Sequence, residues 1–377
     1  MRDRSRPLRV GFVLEQALGH VTYGRNIISA LEGRDDIDPV WIEVPFAPRG
    51  FPTNLPGIRS NWSVRGSIEA RRGWKQAGEL DALFLHTQTI SLLAAGEMAR
   101  VPTVLSLDAT PLNFDEVGMA YGHRPGASLL ESLKRRAHRR VVARAAAFTT
   151  WSDWAKQSLV DDYGADASRV EVYHPGANLS LFDFGRQSRQ PAAGRPLRLL
   201  FVGGDLPRKG GDLLLDLMRG PLQGRCELDL VTGAEAPPVP GVTVHHNVGP
   251  NSPQLLDLYR RADAFVLPTM ADCLAVVLGE AMAAGLPIIT TPVGAHGEAV
   301  AHGETGFLVP PRDAAALLSA IEKLIEQPDL AVQMGQRGRK RGEERFDAHK
   351  NANAIGDLIL SAADGFAQRG QAQEEAA

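Results

Sequence analysis

The stretch AFVLPTMADCLAVVLGEAMAAGLPIITTPVGAHG, Ala264 to Gly297, decides how this chain reads. Ala264–Leu267 is a short apolar run with the character of a buried strand, and Pro268 closes it. A loop carrying Asp272 follows. Val276–Ala284 then reads as a helix with Glu280 in its early turns, and Pro287–Thr290 as a second strand. Strand, helix and strand at this spacing predict a parallel βαβ unit. Where the loop Asp272-Cys273-Leu274-Ala275-Val276 enters the helix, the first backbone N–H groups have no helical partner. They can donate to sugar hydroxyls or to a phosphate. The Glu280 carboxylate can accept both hydroxyls of a ribose. The same residues also fit a plain βα unit with a solvated Asp272 and a capping Glu280.

Outward from this unit the alternation continues. Leu197–Val202, Leu228–Val231 and Val242–His245 read as strands, and a stretch from about Gly211 and Pro253–Arg261 as helices. Toward the start, Leu8–Leu14, Val40–Val44, Leu83–Leu85, Val104–Leu107, Ala147–Thr150 and Val170–Tyr173 read as strands. Thr22–Leu31, Val64–Ala77 and Thr89–Ala99 read as helices, and Ser152 as the N-cap of another. Gln187–Pro196, QSRQPAAGRP, has no apolar periodicity and suits a linker. The expectation is therefore α/β: two Rossmann-like doubly wound domains, residues 1–185 and 197–346, joined by a linker at 186–196. Ligands in such sheets bind beyond the carboxyl ends of the strands. With two such domains facing one another, the cleft between them is the expected site. Asp347–Ala363 reads as a final helix, with 347–365 packing back onto the first domain. The polar tail 366–377 is expected to be disordered.

Composition bounds the function. A chain of 377 residues with 44% hydrophobic and 23% charged residues is ordinary for a globular protein, and long enough for two cores. A formal net charge of -3 excludes a globally basic, nucleic-acid-coating protein. Two cysteines, Cys226 and Cys273, provide neither a zinc spacing nor a disulfide framework, which fits a reducing compartment. The charged start, Met1–Arg9, and the short apolar run Val10–Leu14 match no signal peptide or membrane span. The expected location is cytoplasmic, with the inner membrane face as an option.

A second motif is LLFVGGDLPRKGGD, Leu199–Asp212. A strand runs into Gly203-Gly204, and Arg208-Lys209-Gly210-Gly211 opens a helix. A departing nucleoside diphosphate gains negative charge as its glycosidic bond breaks. Without a metal, that charge needs fixed cations and N–H dipoles. Arg208 and Lys209 beside a helix start supply both, although a solvated Arg-Lys turn has the same sequence. The Walker pattern of a P-loop is absent.

Together these residues resemble the retaining glycosyltransferases of family four, the glycosyl transferases group 1 with the GT-B fold. The family's acidic pair spaced by seven residues is here Asp272 and Glu280. Its Gly-Leu-Pro element is Gly285-Leu286-Pro287, and its Val-Gly-Gly element is Val293-Gly294-Ala295. The resemblance implies that Glu280 holds the donor ribose, that Asp272 and the amides of Leu274 to Val276 hold the donor sugar, and that Arg208 and Lys209 bind the diphosphate. Asp in place of the first Glu shortens that reach by ~1.5 Å. His245–Pro250, with Val248, matches the loop near the nucleotide base. Gly19 stands in the loop after the first strand, where the family often has a Gly pair near the phosphates, and His20 follows it. His86 ends the strand of DALFLHTQ. Asp108 falls where the family has a histidine at the donor sugar, and can accept from a sugar hydroxyl or offset an oxocarbenium-like charge.

These correspondences imply a nucleotide-diphosphate sugar donor, Asp108, Arg208, Lys209 and Asp272 in the catalytic set, and no metal or other cofactor. Gly19, Gly204, Val248 and Cys273 join the donor-binding set, and His20 and His86 are acceptor-side candidates. The acceptor is a glycan, a lipid-linked sugar or a small molecule, and no nucleic acid is expected. Leu129, Leu133, Ala137, Val141 and Ala145 form a core-facing stripe on a helix over 129–148. Its other faces carry Lys134, Arg135, Arg136, Arg139, Arg140 and Arg144, a solvated face or a peripheral membrane contact. Two alternatives stand beside transfer: a sugar-nucleotide epimerase, and a catalytically degenerate protein that binds nucleotide sugar or glycan without turnover.

Overall fold

The computed structural model describes residues 6–17, 19–47, 51, 53–55, 61–118, 128–183 and 194–375. It divides into two compact units. One draws on Met1–Asp115, Arg124–His174 and His349–Ala377, and the other is dominated by Pro175–Ala348.

In the first unit the chain runs β1 (Leu8–Gln16), α1 (His20–Leu31), β2 (Ile37–Pro45), α2 (Trp62–Gln76), β3 (Ala82–His86), β4 (Thr103–Leu107), α3 (Pro111–Val117), α4 (Ser128–Arg144), β5 (Ala147–Thr150), α5 (Asp153–Asp161) and β6 (Val170–Val172). The six strands lie in the order β2-β1-β3-β4-β5-β6, every neighbouring pair parallel. Helices cover both faces, so the central strands are apolar throughout, with Phe12, Phe84, Leu105 and Phe148 fully buried. Ser152 caps α5 by accepting from the Ala155 amide at 3.1 Å.

The second unit runs β7 (Leu197–Val202), α6 (Gly211–Arg219), β8 (Cys226–Val231), β9 (Val242–His245), α7 (Pro253–Arg261), β10 (Ala264–Leu267), α8 (Val276–Ala283), β11 (Ile288–Thr290), α9 (His296–Ala299), β12 (Gly306–Leu308), α10 (Ala314–Glu326) and α11 (Pro328–Arg345). Its order, β12-β11-β10-β7-β8-β9, is again all parallel. Both sheets are α/β and doubly wound. In each, the strand order reverses once, between β1 and β3 and between β7 and β10. The loops leaving these strands part to opposite faces there and open a crevice. That topology, more than any single residue, decides where chemistry can gather.

Four expectations need correction. Thr89–Ala99 is not one helix but two 3-10 turns, Gln88–Ser91 and Glu97–Ala99. The Thr87 hydroxyl accepts from the Thr89 amide and the Ser91 hydroxyl donates to the Gln88 carbonyl, so side chains compete for the groups a helix would use. Leu133, expected in the core-facing stripe, is instead 55% exposed. The inner face of α4 is His138, Val141 and Val142, with buried Ala145 just past its end, and the side chain of Leu129 lies outside the described residues. The last helix, α12 (Ala348–Glu375), continues to Glu375 where a disordered tail was expected from 366, its Ala, Gln and Glu being strong helix formers.

The fourth correction concerns the division between the units, which falls after His174, not near 185. The Ala177 amide donates to the Phe346 carbonyl and the Ala348 amide to the Ala177 carbonyl, tying 175–182 to the second unit. Gly176 makes this approach possible, since a Cβ there would lie 1.9 Å from the Phe346 oxygen. Most of the expected linker, 186–193 of 186–196, lies outside the described residues. α12 belongs to the first unit, where Arg34 binds the Asn353 carbonyl at 2.9 Å and Asp357 at 2.8 Å. Among the described residues no helix is long and apolar enough to cross a membrane.

Candidate functional site

The crevice of the second sheet is built from the loops after β7 and β10. They are stitched together by backbone: the Met270 amide donates to the Arg208 carbonyl at 2.8 Å, and the Thr269 hydroxyl to the same oxygen at 3.2 Å. Gly210, the N-cap of α6, has φ of +72°, and a Cβ there would sit 2.1 Å from the Pro268 carbonyl. Only glycine fits. This contact brings Arg208 and Lys209 against the loop that carries Asp272.

Lys209 donates from Nζ to Asp272 Oδ2, and both side chains are nearly buried, 13% and 11% exposed. Arg208 is turned inward: its Nη1 donates to the Ala271 carbonyl at 3.0 Å and its Nε to Asp205 at 3.2 Å. Of the two expected diphosphate-binding cations, Arg208 is thus a brace between the loops and Lys209 the cation beside the carboxylate. Burial opposes the charge on Asp272, but the cations Lys209 and Arg208 outweigh it and hold the carboxyl below its ordinary range.

His296, at the start of α9, completes this cluster. It is fully buried, and burial pushes its imidazole down to about 4 although Asp272, 3.8 Å away, works in the other direction. The ring is therefore neutral, and its tautomer follows from its partners. The Thr290 hydroxyl donates to the Leu267 carbonyl at 2.8 Å, so the Thr290 oxygen accepts from His296 Nδ1 at 3.0 Å. His296 Nε2 is left to accept from the Ala275 amide at 3.3 Å. The Ala275 amide, expected to face a ligand, is thus used internally. The loop is packed as well, with Asp272, Cys273, Leu274, Ala275 and Val276 all buried. The Cys273 carbonyl accepts from the Ala295 amide at 2.8 Å.

Glu280 lies further along α8 and is 3% exposed. The Tyr259 hydroxyl, on α7, donates to its Oε2 at 2.8 Å. Burial raises the Glu280 carboxyl to about 6, with the Tyr259 bond acting against that rise. Gly204 opens the β7–α6 loop with exposed backbone, and Val248 is half-buried in the loop after β9. Sequence reasoning missed His296 and Tyr259. The signal for His296 was present, since it follows Val293-Gly294-Ala295 directly. Tyr259 carried none beyond its place on an amphipathic helix.

The crevice of the first sheet holds a different set. Gly19 caps α1 with an ordinary helical φ of -65°, so its backbone requires no glycine. His20 begins α1, His86 ends β3 and Asp108 follows β4. His20 Nδ1 and His86 Nε2 are 2.8 Å apart, and His86 Nδ1 is 2.9 Å from the Ser106 hydroxyl. His20 Nε2 stands 3.8 Å from Asp108 Oδ2. His86 is fully buried, stacked on Trp151 at 5.3 Å, and burial pushes its imidazole well below the usual range. The structure therefore joins His20, His86 and Asp108 into one cluster, with Ser106 as an unforeseen member. Glu15, also buried, accepts from Trp62 Nε1 at 2.8 Å and from the Thr87 hydroxyl at 2.7 Å.

Comparison with known proteins matches both units. Residues 26–181 match the family described as Glycosyltransferase Family 4, and residues 241–341 match Glycosyl transferases group 1. A D-inositol 3-phosphate glycosyltransferase of Pseudarthrobacter chlorophenolicus is 29% identical over 319 residues, 77% of this chain and 72% of that protein. A glycogen synthase of Mycobacterium tuberculosis is 27% identical, covering 81% and 75%. Among solved structures, the sucrose-phosphate synthase of Thermosynechococcus elongatus superposes with a TM-score of 0.71 at 19% identity, over 94% of this chain and 98% of the other. Anabaena HepE, solved with UDP-glucose, gives 0.67 at 16% identity, over 94% and 100%. At these identities the superpositions establish a shared fold.

Proposed function

This chain belongs to the family-four glycosyltransferases and has their GT-B fold, and from that premise we propose that it transfers a sugar from a nucleoside-diphosphate donor to an alcohol acceptor with retention at the anomeric carbon. One observation carries the donor assignment: a nearly buried lysine held against Asp272 at the crevice of the second sheet. An ammonium has three N–H donors, so one can stay on Asp272 while the others meet phosphate oxygens. Asp272 holds that cation aimed before the donor arrives, which is the preorganisation an incoming diphosphate rewards. Its remaining lone pairs are suited to hydroxyls of the donor sugar. Glu280, ionised above its raised pKa, takes the ribose hydroxyls while Tyr259 orients it. In this reading the backbone around Gly204 serves the phosphates and the Val248 loop serves the base.

In the reaction, the bond from the anomeric carbon to the β-phosphate oxygen breaks and its electron pair stays on that oxygen. The acceptor oxygen bonds to the same face of the carbon. Its proton passes to the leaving phosphate, whose charge Lys209 offsets. No enzymic nucleophile and no metal enter this reading. The similar chains are named for an inositol phosphate and for glycogen, both rich in alcohols, and this supports a sugar or polyol hydroxyl as acceptor.

The test is release of nucleoside diphosphate from UDP-, GDP- and ADP-linked sugars. Lys209→Ala should lower turnover of the preferred donor about a hundredfold, the scale of removing one aligned charge donor. An unchanged rate would overturn the diphosphate role. Donor binding with no release under any acceptor would favour the binding-only alternative.

A further inference from the structure

One buried group at the crevice of the second sheet makes no contact with the donor in this reading, yet packs against the groups that do. His296 stands where the loop after β11 meets the loop that carries Asp272, and it is fully buried. Two backbone features force that meeting. The Ala295 amide donates to the Cys273 carbonyl at 2.8 Å. Gly294 has φ of +52°, and a Cβ there would overlap the carbonyl oxygens of Asp272 and Cys273, so the loops touch along their main chains. Hydroxyls fasten the same seam from the end of β11. Thr290 donates to the Leu267 carbonyl at 2.8 Å, and Thr291 to the Thr269 carbonyl at 2.7 Å.

The partners fix the proton on the imidazole. With its hydrogen committed to Leu267, the Thr290 hydroxyl can only accept, so His296 Nδ1 carries a hydrogen, 3.0 Å away. The Ala275 amide aims its own hydrogen at Nε2 from 3.3 Å, so Nε2 is bare. That bare nitrogen stands 3.8 Å from Asp272 Oδ2, the oxygen that accepts from Lys209. An N–H in its place would compete with the ammonium for that oxygen. A lone pair does not. The tautomer set by Thr290 therefore adds no rival to Lys209, while the Ala275 bond holds the N-cap of α8, three residues beyond Asp272.

We propose that His296 is a positioning residue for sugar transfer, holding the loop of Asp272 so that Lys209 is aimed at the leaving phosphate. The inference rests on the donor assignment above and adds the group through which the loop after β11 bears on turnover. His296, Thr290, Ala275, Asp272 and Lys209 all belong to the second unit.

On the intact chain, turnover is read as release of nucleoside diphosphate from the preferred UDP-, GDP- or ADP-linked sugar. Binding is read by calorimetry with the matching nucleoside monophosphate, which keeps the ribose assigned to Glu280 and lacks the phosphate assigned to Lys209. Thr290→Val removes the hydroxyl that sets the tautomer and keeps the side chain's shape. It should lower kcat about tenfold, the scale of a misplaced charge donor, and leave the monophosphate Kd level. His296→Leu should lower kcat at least as far, and where it fails to fold the Thr290 variants carry the test. Thr290→Ser, which keeps the hydroxyl, should stay within about threefold of wild type. A positioning residue acts through its target, so in a Lys209→Ala chain Thr290→Val should cost nothing further. The proposal is overturned if Thr290→Val turns over like wild type, if its loss multiplies with that of Lys209→Ala, or if monophosphate affinity weakens in step with turnover. A Lys209→Ala chain with wild-type turnover defeats the donor assignment itself, and the role of His296 falls with it.

Discussion

Glu280 shows how one buried carboxyl sets a pH limit. Its folded pKa of about 6 lies above the ordinary value because burial disfavours the charge. A ribose diol needs the ionised form, so nucleotide affinity should be level above about pH 7 and fall as pH drops through 6. At pH 5 the loss should be on the order of tenfold, read by calorimetry with the preferred nucleoside diphosphate. Tyr259→Phe removes the hydroxyl that stabilises the carboxylate, so the midpoint should move upward. A pH-independent affinity between 5 and 8 would exclude Glu280 from the nucleoside contact. His296 sits at the same scale with the opposite behaviour, being held neutral by burial.

At the scale of elements, the loops after β7 and β10 act as a pair because backbone meets backbone at Gly210 and Pro268. Gly210→Ala adds a Cβ in a left-handed conformation and places it 2.1 Å from the Pro268 carbonyl oxygen, a backbone atom. The cost should be about 2 kcal/mol or more in unfolding free energy, measured by urea titration. It should also displace Lys209, lowering donor turnover beyond the stability loss. The neighbouring Gly204→Ala, with nothing within 4 Å, should leave stability within about 0.5 kcal/mol of wild type. In the first unit, α12 is an element whose place the chain order hides. Ile359 is fully buried on it, so Ile359→Ala should cost about 2–5 kcal/mol of that unit's stability.

For the whole molecule, each unit buries a neutral histidine, His86 in one and His296 in the other. Both have folded pKa values below the unfolded value. Below about pH 6.5 the unfolded chain takes up protons that the folded chain refuses, so stability present above 6.5 declines as pH falls. For His296 the span down to about 4 corresponds to about 3 kcal/mol. Glu280 acts the other way, favouring the fold at low pH and losing that contribution as pH rises to about 6. The two histidines outnumber it, so the melting temperature should drop from pH 7 to 4.5. His296→Gln should flatten that slope while lowering stability at pH 7, where its bonds to Thr290 and Ala275 are lost. An identical slope in the variant would contradict the buried neutral state.

Much of this was legible along the chain. The apolar runs at Leu197–Val202 and Ala264–Leu267, with amphipathic stretches between them, determine a parallel sheet, because strands buried on both faces must be apolar throughout. Asp272, Glu280, Arg208 and Lys209 stood out through residue type and spacing. What the chain could not reveal is which side chains share a partner. Arg208 and Lys209 are neighbours in sequence, yet one braces a loop carbonyl and the other meets a carboxylate sixty-three residues away. His20, His86 and Asp108 lie far apart in sequence and become a cluster only because β1, β3 and β4 are adjacent in the sheet. Local patterning reports what each segment must bury. Strand order, which no local pattern encodes, decides which buried groups must then satisfy one another.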